Sequence, residues 1–158
     1  MFGPAPVHRP DVLQQFKPAL RLRGNADSGQ GTFAARCASC HQAQGRNGPF
    51  GPDLRTARFK GKEKILEAIL EPNTEVTPEY APWTAESRAG ENLIGVREEE
   101  NLSAVTIRQL DGTRVVWPRL NLQAMESHSW SFMPTGLEEG LSTQDMADLL
   151  EYIVVGLK

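Results

Sequence analysis

The chain has 158 residues, a net charge of −3, and hydrophobic residues at 39% of positions. That length suits one domain with a small appendage, and a charged fraction of 23% is ordinary for a globular chain and argues against wholesale disorder. A sequence pI near 5.6 opposes general affinity for nucleic acid or anionic membrane, no apolar run approaches the ~20 residues of a membrane-spanning helix, and two cysteines make no disulfide framework.

In chain order, Met1 to Pro18 carries four prolines and is expected to be extended or irregular. It lacks the basic start, apolar run and small-residue cleavage site of a secretory signal; either a signal has been removed or this is a piece cut from a longer protein, the second being the preferred reading. Residues 1–23 are thus expected to form a Pro-rich arm or linker. Asn25 or Asp27 can cap a helix running to about Ala38, with Phe33 on its apolar side. Gln42 to Lys60, rich in Gly and Pro, reads as loop. Lys62 to Leu70 is a short amphipathic helix whose Ile65, Leu66, Ile69 and Leu70 share one face, with Pro72 just beyond it. Pro72, Pro78 and Pro82 mark an irregular bridge, after which the hydrophobic period changes. Asn92–Glu99, Leu102–Leu110 and Thr113–Val116 read as strands, with a further one near Tyr80–Ser87, and Asp111-Gly112 signals a two-residue hairpin turn. Ser142-Thr143-Gln144-Asp145 opens a final helix as a capping box. Met146, Leu149, Leu150, Ile153 and Val154 follow helical spacing until Gly156. A chain this loop-rich, with aromatics at only 7%, needs something other than its own side chains at the centre of its core.

Cys37-Ala38-Ser39-Cys40-His41 carries the chemistry. C-x-x-C-H is the attachment signature of c-type haem: two thiols at this spacing add to the two vinyl groups as thioethers, and the adjacent His supplies a proximal imidazole to the iron. A redox-active cysteine pair would not need His41, and no βαβ pattern accompanies it. A zinc site would need two more ligands, and His8 and His128 lie at the wrong spacing. Both cysteines of the chain fall in the motif.

Gly29-x-x-x-Phe33-x-x-x-Cys37-x-x-Cys40-His41, Gly51-Pro52-Asp53-Leu54, Met133-Pro134 and a closing helix with Leu150 and Tyr152 together resemble a class I cytochrome c. More closely, the chain is similar to the haem-binding domain common in planctomycete and verrucomicrobial proteins, through its G-P-D-L, its β-rich insertion with a D-G turn, and Ser131-Phe132-Met133-Pro134-Thr135-Gly136-Leu137. The resemblance covers about residues 24–158. It implies a mainly α fold, with a small antiparallel sheet (about residues 79–120) inserted between the second helix and the axial-Met loop, and one haem c. It also implies that Met133 is the second iron ligand, with His128 as rival, while Met146 and Met125 have core positions as their alternative. The Pro52 carbonyl would orient His41, with Pro49 second to it, and Gly29 and Phe33 would meet the last helix at Tyr152.

Haem propionates want donors; Arg46, Arg55, Arg58 and Lys60 are candidates, and Trp117 with Arg119 is the preferred pair. Glu98-Glu99-Glu100 reads as a solvated run, or alternatively as a steering patch for a basic partner. The first functional reading is a one-electron carrier, joined in the resembling family to a dehydrogenase-like or propeller module of a larger secreted protein. It implies a periplasmic or exported location, a redox partner, and no nucleic acid. The alternative is a catalytic or ligand-sensing haem with a weak or displaced distal ligand, and a plain interaction domain is the third. An enzymatic role is left open.

Overall fold

A computed structural model of the chain describes residues 8–42 and 50–158; Arg46 and Pro49 lie outside them. Among the described residues, five α-helical segments form the frame: α1 (Pro10–Phe16), α2 (Ala26–Arg36), α3 (Ala38–His41), α4 (Lys62–Leu70) and α5 (Thr143–Glu151). The capping expectations hold in detail. The Asn25 side chain accepts from Asp27 N and Ser28 N at 3.0 and 3.1 Å, and Ser142 and Asp145 close a reciprocal capping box, which satisfies backbone donors that the first turn leaves free.

Helices α2 and α5 cross closely because Gly29 has no side chain; a Cβ there would lie 1.9 Å from the Asp148 carbonyl oxygen. One turn on, Phe33 meets Tyr152 with ring centroids 5.2 Å apart. Phe33, Leu66, Leu70, Met146, Leu149, Leu150 and Ile153 are all at most 2% exposed. Each such side chain contributes about 1.5–3 kcal/mol through burial. Past Glu151 the helix widens into a π turn, Tyr152–Gly156, closed by Leu157 N donating to Tyr152 O at 2.9 Å.

The N-terminal segment departs from its expected irregular course. Pro10 stands in the first turn of α1 and Pro18 in the first turn of the 3-10 helix Lys17–Arg21. There the missing N–H costs nothing and the fixed φ suits a helix. Phe16 and Ala19 are each 2% exposed and belong to the main core, so this segment packs as part of the domain.

Between α4 and α5 lies a five-stranded antiparallel sheet: β1 (Pro82–Ser87), β2 (Asn92–Glu100), β3 (Ala104–Arg108), β4 (Arg114–Pro118) and β5 (Leu122–Ser127), in the order β4-β3-β2-β1-β5. The sheet is larger than the sequence signals. Leu122–Ser127 has no β-branched residue, and it is strand because it pairs with β1, from Trp83↔Ser127 to Ser87↔Leu122. The β3–β4 turn is also not a two-residue hairpin. Gly112 has φ +84°, but no described non-glycine residue has positive φ, which excludes the primed turn at Asp111-Gly112. Instead Gly112 N donates to Gln109 O, and Gln109 N to Thr113 O, so Leu110-Asp111-Gly112 form a longer turn. Ala85, Val96, Val105 and Ile107 are buried within the sheet region and stand apart from the helical core cluster.

Candidate haem-attachment site

Helix α2 ends at Arg36 and runs directly into the motif. Cys37 N donates to Phe33 O at 2.8 Å, and His41 N to Cys37 O at 3.0 Å, so the C-x-x-C-H segment is a single turn anchored on the core helix. Cys37 is buried and Cys40 half-buried, and neither is in a disulfide. Burial pushes the Cys37 thiol up to about 11, so it remains protonated at neutral pH.

The imidazole of His41 is held from one side. Its Nδ1 lies 2.9 Å from the Pro52 carbonyl oxygen. A carbonyl only accepts, so Nδ1 carries the proton and Nε2 keeps its lone pair. Desolvation lowers the His41 pKa, opposed by that hydrogen bond, which favours the neutral ring a metal requires. Gly51 supports the same ring: its N donates to Cys40 O at 2.7 Å, and a Cβ at this position would stand 2.9 Å from His41 Cε1 and Nδ1. The Gly-Pro pair thus provides room and a hydrogen-bond acceptor together. The role of Gly51 was not legible in sequence beyond its place in G-P-D-L.

Met133 is half-buried and packs against the main core. Its loop is fastened at several points. Ser131 N donates to Asn73 Oδ1 at 2.7 Å, and Met133 N to Ser131 Oγ at 3.1 Å. Arg36, the residue before Cys37, donates to the Leu137 and Glu139 carbonyls at 2.8 Å each. The haem motif and the methionine loop are therefore tied to each other through one guanidinium. His128 is differently engaged: its Nε2 lies 3.0 Å from Thr84 Oγ1, its N donates to Pro82 O at 2.8 Å, and its ring stacks on Trp130. Met146 is a core residue at 0% exposure, and Met125 is half-buried on β5 opposite Ala85.

Trp117 lies half-buried on β4 opposite Val105. Arg119, just beyond that strand, pairs with Glu100 and donates to the Asn101 carbonyl at 2.7 Å. β4 is the sheet edge opposite β5, the strand that leads towards Met133. Arg55 is paired with Asp53, and Arg58 donates to the Arg55 and Leu157 carbonyls. The acidic run is largely matched as well, Glu98 by Arg114 and Glu100 by Arg97 and Arg119.

An aromatic row that the sequence reading missed leads towards Met133. Phe50 meets Phe132 edge-on at 5.2 Å, Phe132 meets Trp130 edge-on at 5.2 Å, and Arg108 lies over Phe50 with its guanidinium carbon 5.8 Å from the ring centroid. The Trp130 Nε1–H is buried and has no acceptor among the described residues. An indole N–H in that state fits a group that brings its own acceptor oxygens, as a haem carboxylate does. The two thiols, the half-buried neutral imidazole and this donor suit the group that the sequence motif calls for.

A thiol pair and an oriented imidazole on one helical turn, tied through Arg36 to a fastened methionine loop, match a covalent haem-binding protein. The chain belongs to the cytochrome c family, whose model matches residues 26–155. It is also 33% identical over 64 residues to a cytochrome c-553-like protein of Synechocystis sp.; that match takes in 40% of this chain and spans 60% of the relative. The cofactor is one covalently bound haem c with its iron, and the chemistry of the domain is haem-based electron transfer. None of the described helices is long and apolar enough to cross a membrane.

Proposed function

We propose that the chain carries single electrons through a haem c held by Cys37 and Cys40 and ligated by His41 and Met133. When bound, haem c supplies a one-electron iron couple. The observation that carries the ligand assignment is the anchoring of the Met133 loop to Asn73 and Arg36, set against the engagement of the His128 Nε2 with Thr84. The chain's own contribution is to hold the donors in place before the cofactor arrives. Pro52 fixes the His41 tautomer and ring plane. Phe50, Phe132 and Trp130 exclude water from one side of the site, and the Trp130 N–H offers a hydrogen bond to a haem carboxylate. Trp130 fits that task better than Trp117 with Arg119, because Arg119 has its partners within the sheet.

The likeness of the Gly51–Leu54 and Ser131–Leu137 segments to the planctomycete and verrucomicrobial haem-binding domain extends the reading. The chain is then one domain of a larger periplasmic or exported redox protein, accepting electrons from a dehydrogenase-like module and passing them to a partner protein. Met133→Ala tests the core of this reading. The oxidised holoprotein should show a weak far-red methionine-to-iron charge-transfer band that vanishes in this variant and persists in His128→Ala. A low-spin spectrum without the band, altered by His128→Ala alone, would transfer the ligand role to His128.

A further inference from the structure

The N-terminal segment reaches the methionine loop through Arg9. Its guanidinium pairs with Glu138, which is 5% exposed and lies five residues beyond Met133. The same guanidinium donates to the Leu70 carbonyl at 3.4 Å, and the Arg9 backbone N donates to Glu71, which is 7% exposed at the end of α4. His8 Nδ1 lies 2.6 Å from the same Glu71 carboxylate. A buried carboxylate needs a cationic or hydrogen-bonding partner. For Glu138 that partner is Arg9, since its other oxygen is buried without a partner among the described residues. Two anchors already hold the loop: Asn73 before Met133, and Arg36 at the carbonyls on either side of Glu138. Arg9 is the third, and it alone couples the loop both to the end of α4 and to a segment pinned in the core by Phe16 and Ala19.

From this juxtaposition we propose that Arg9 is a positioning residue for the distal iron ligand, and that residues 8–21 form a strap holding the Met133 loop closed against the haem. The proposal rests on Met133 being that ligand. Cutting the Arg9–Glu138 link leaves a buried charge unpaired and lets the loop lift, which exposes the sixth position on the iron to small exogenous ligands.

The test uses the oxidised holoprotein with imidazole as the probe, comparing wild type with Arg9→Ala, Arg9→Lys, Glu138→Gln and, as a control destabilised away from the loop, Val105→Ala. Apparent imidazole affinity scales with the population of loop-open molecules, so Arg9→Ala should bind about tenfold more tightly or better. Its charge-transfer band should weaken, Glu138→Gln should follow the same trend, and Arg9→Lys should recover most of the wild-type behaviour. Val105→Ala should leave imidazole affinity unchanged even where it unfolds more easily, which separates positioning from general stability. A wild-type band with Arg9→Ala and Glu138→Gln both binding imidazole as wild type does would overturn the strap alone. A wild-type protein lacking the band would overturn the ligand reading and the strap with it.

Discussion

Single atoms decide much of the chemistry at this site. Trp130 presents one buried N–H without a described acceptor, and Trp130→Phe deletes it at little cost in volume. If that N–H compensates a haem carboxylate, its loss favours the ferric state, and the midpoint potential should fall by up to about 60 mV, a tenfold bias for one electron. Potentiometric titration of both holoproteins checks this, and an unchanged potential removes the indole from the role. Gly51→Ala acts on the imidazole itself. Its Cβ would stand 2.9 Å from the imidazole, so the ring must tilt away from the Pro52 carbonyl, and holoprotein yield should fall. At this scale the sequence was readable where the chemistry is local. Cys37, Cys40, His41 and Pro52 lie within sixteen positions of one another. Trp130 was not, because an unpaired donor is a property of its surroundings and leaves no pattern in the chain.

Among the elements, the α2–α5 crossing is the tightest packing in the frame. Gly29→Ala sets a methyl group against the Asp148 carbonyl, and since neither helix backbone can yield locally, a loss of about 3 kcal/mol or more is expected in urea unfolding of the holoprotein. The sheet carries a gentler, pH-dependent term. Glu98 is held below the usual carboxylate range, first by its hydrogen bonds to Arg114 and then by the charges of Arg114 and Arg108. A depressed carboxylate stabilises the fold above its unfolded pKa and loses that contribution as pH falls through its folded one. Glu98→Gln should therefore cost under about 1 kcal/mol at neutral pH and reduce the loss of stability on acidification, because the pair is partly exposed. Helix α4 and the capping box of α5 were legible because periodicity and caps are short-range signals. Helix α1 and the 3-10 helix after it were hidden by Pro10 and Pro18, each of which serves as a first-turn residue, and β5 by a composition that only its pairing with β1 overrides.

For the molecule as a whole, the helical core and the sheet keep separate sets of buried side chains. Ile107→Ala should therefore lower stability by roughly 2–5 kcal/mol while leaving the far-red band of the folded holoprotein intact. Loss of the band in that variant, measured under conditions where it remains folded, would show that the sheet itself positions the iron ligand. The family and its haem were readable from one pentapeptide, whereas the long-range contact between the N-terminal segment and the methionine loop was not. Arg9 and Glu138 stand 129 positions apart, and no spacing rule links them.

The sheet's connectivity also bears on the order in which the chain can assemble. His41 and Met133 are 92 positions apart, an unfavourable span for two groups that the proposed ligation brings together. Yet β1 and β5 are adjacent, and Pro82 O accepts from His128 N, so the insertion leaves the frame where it entered. Once those strands have zipped, the free span between the two residues is halved, which reduces the closure cost by about 0.6 kcal/mol. The larger effect is on sequence of events: a chain that forms its sheet first delivers the methionine loop as the end of a short tether, with His128 already held at the strand ends by Pro82 and Thr84.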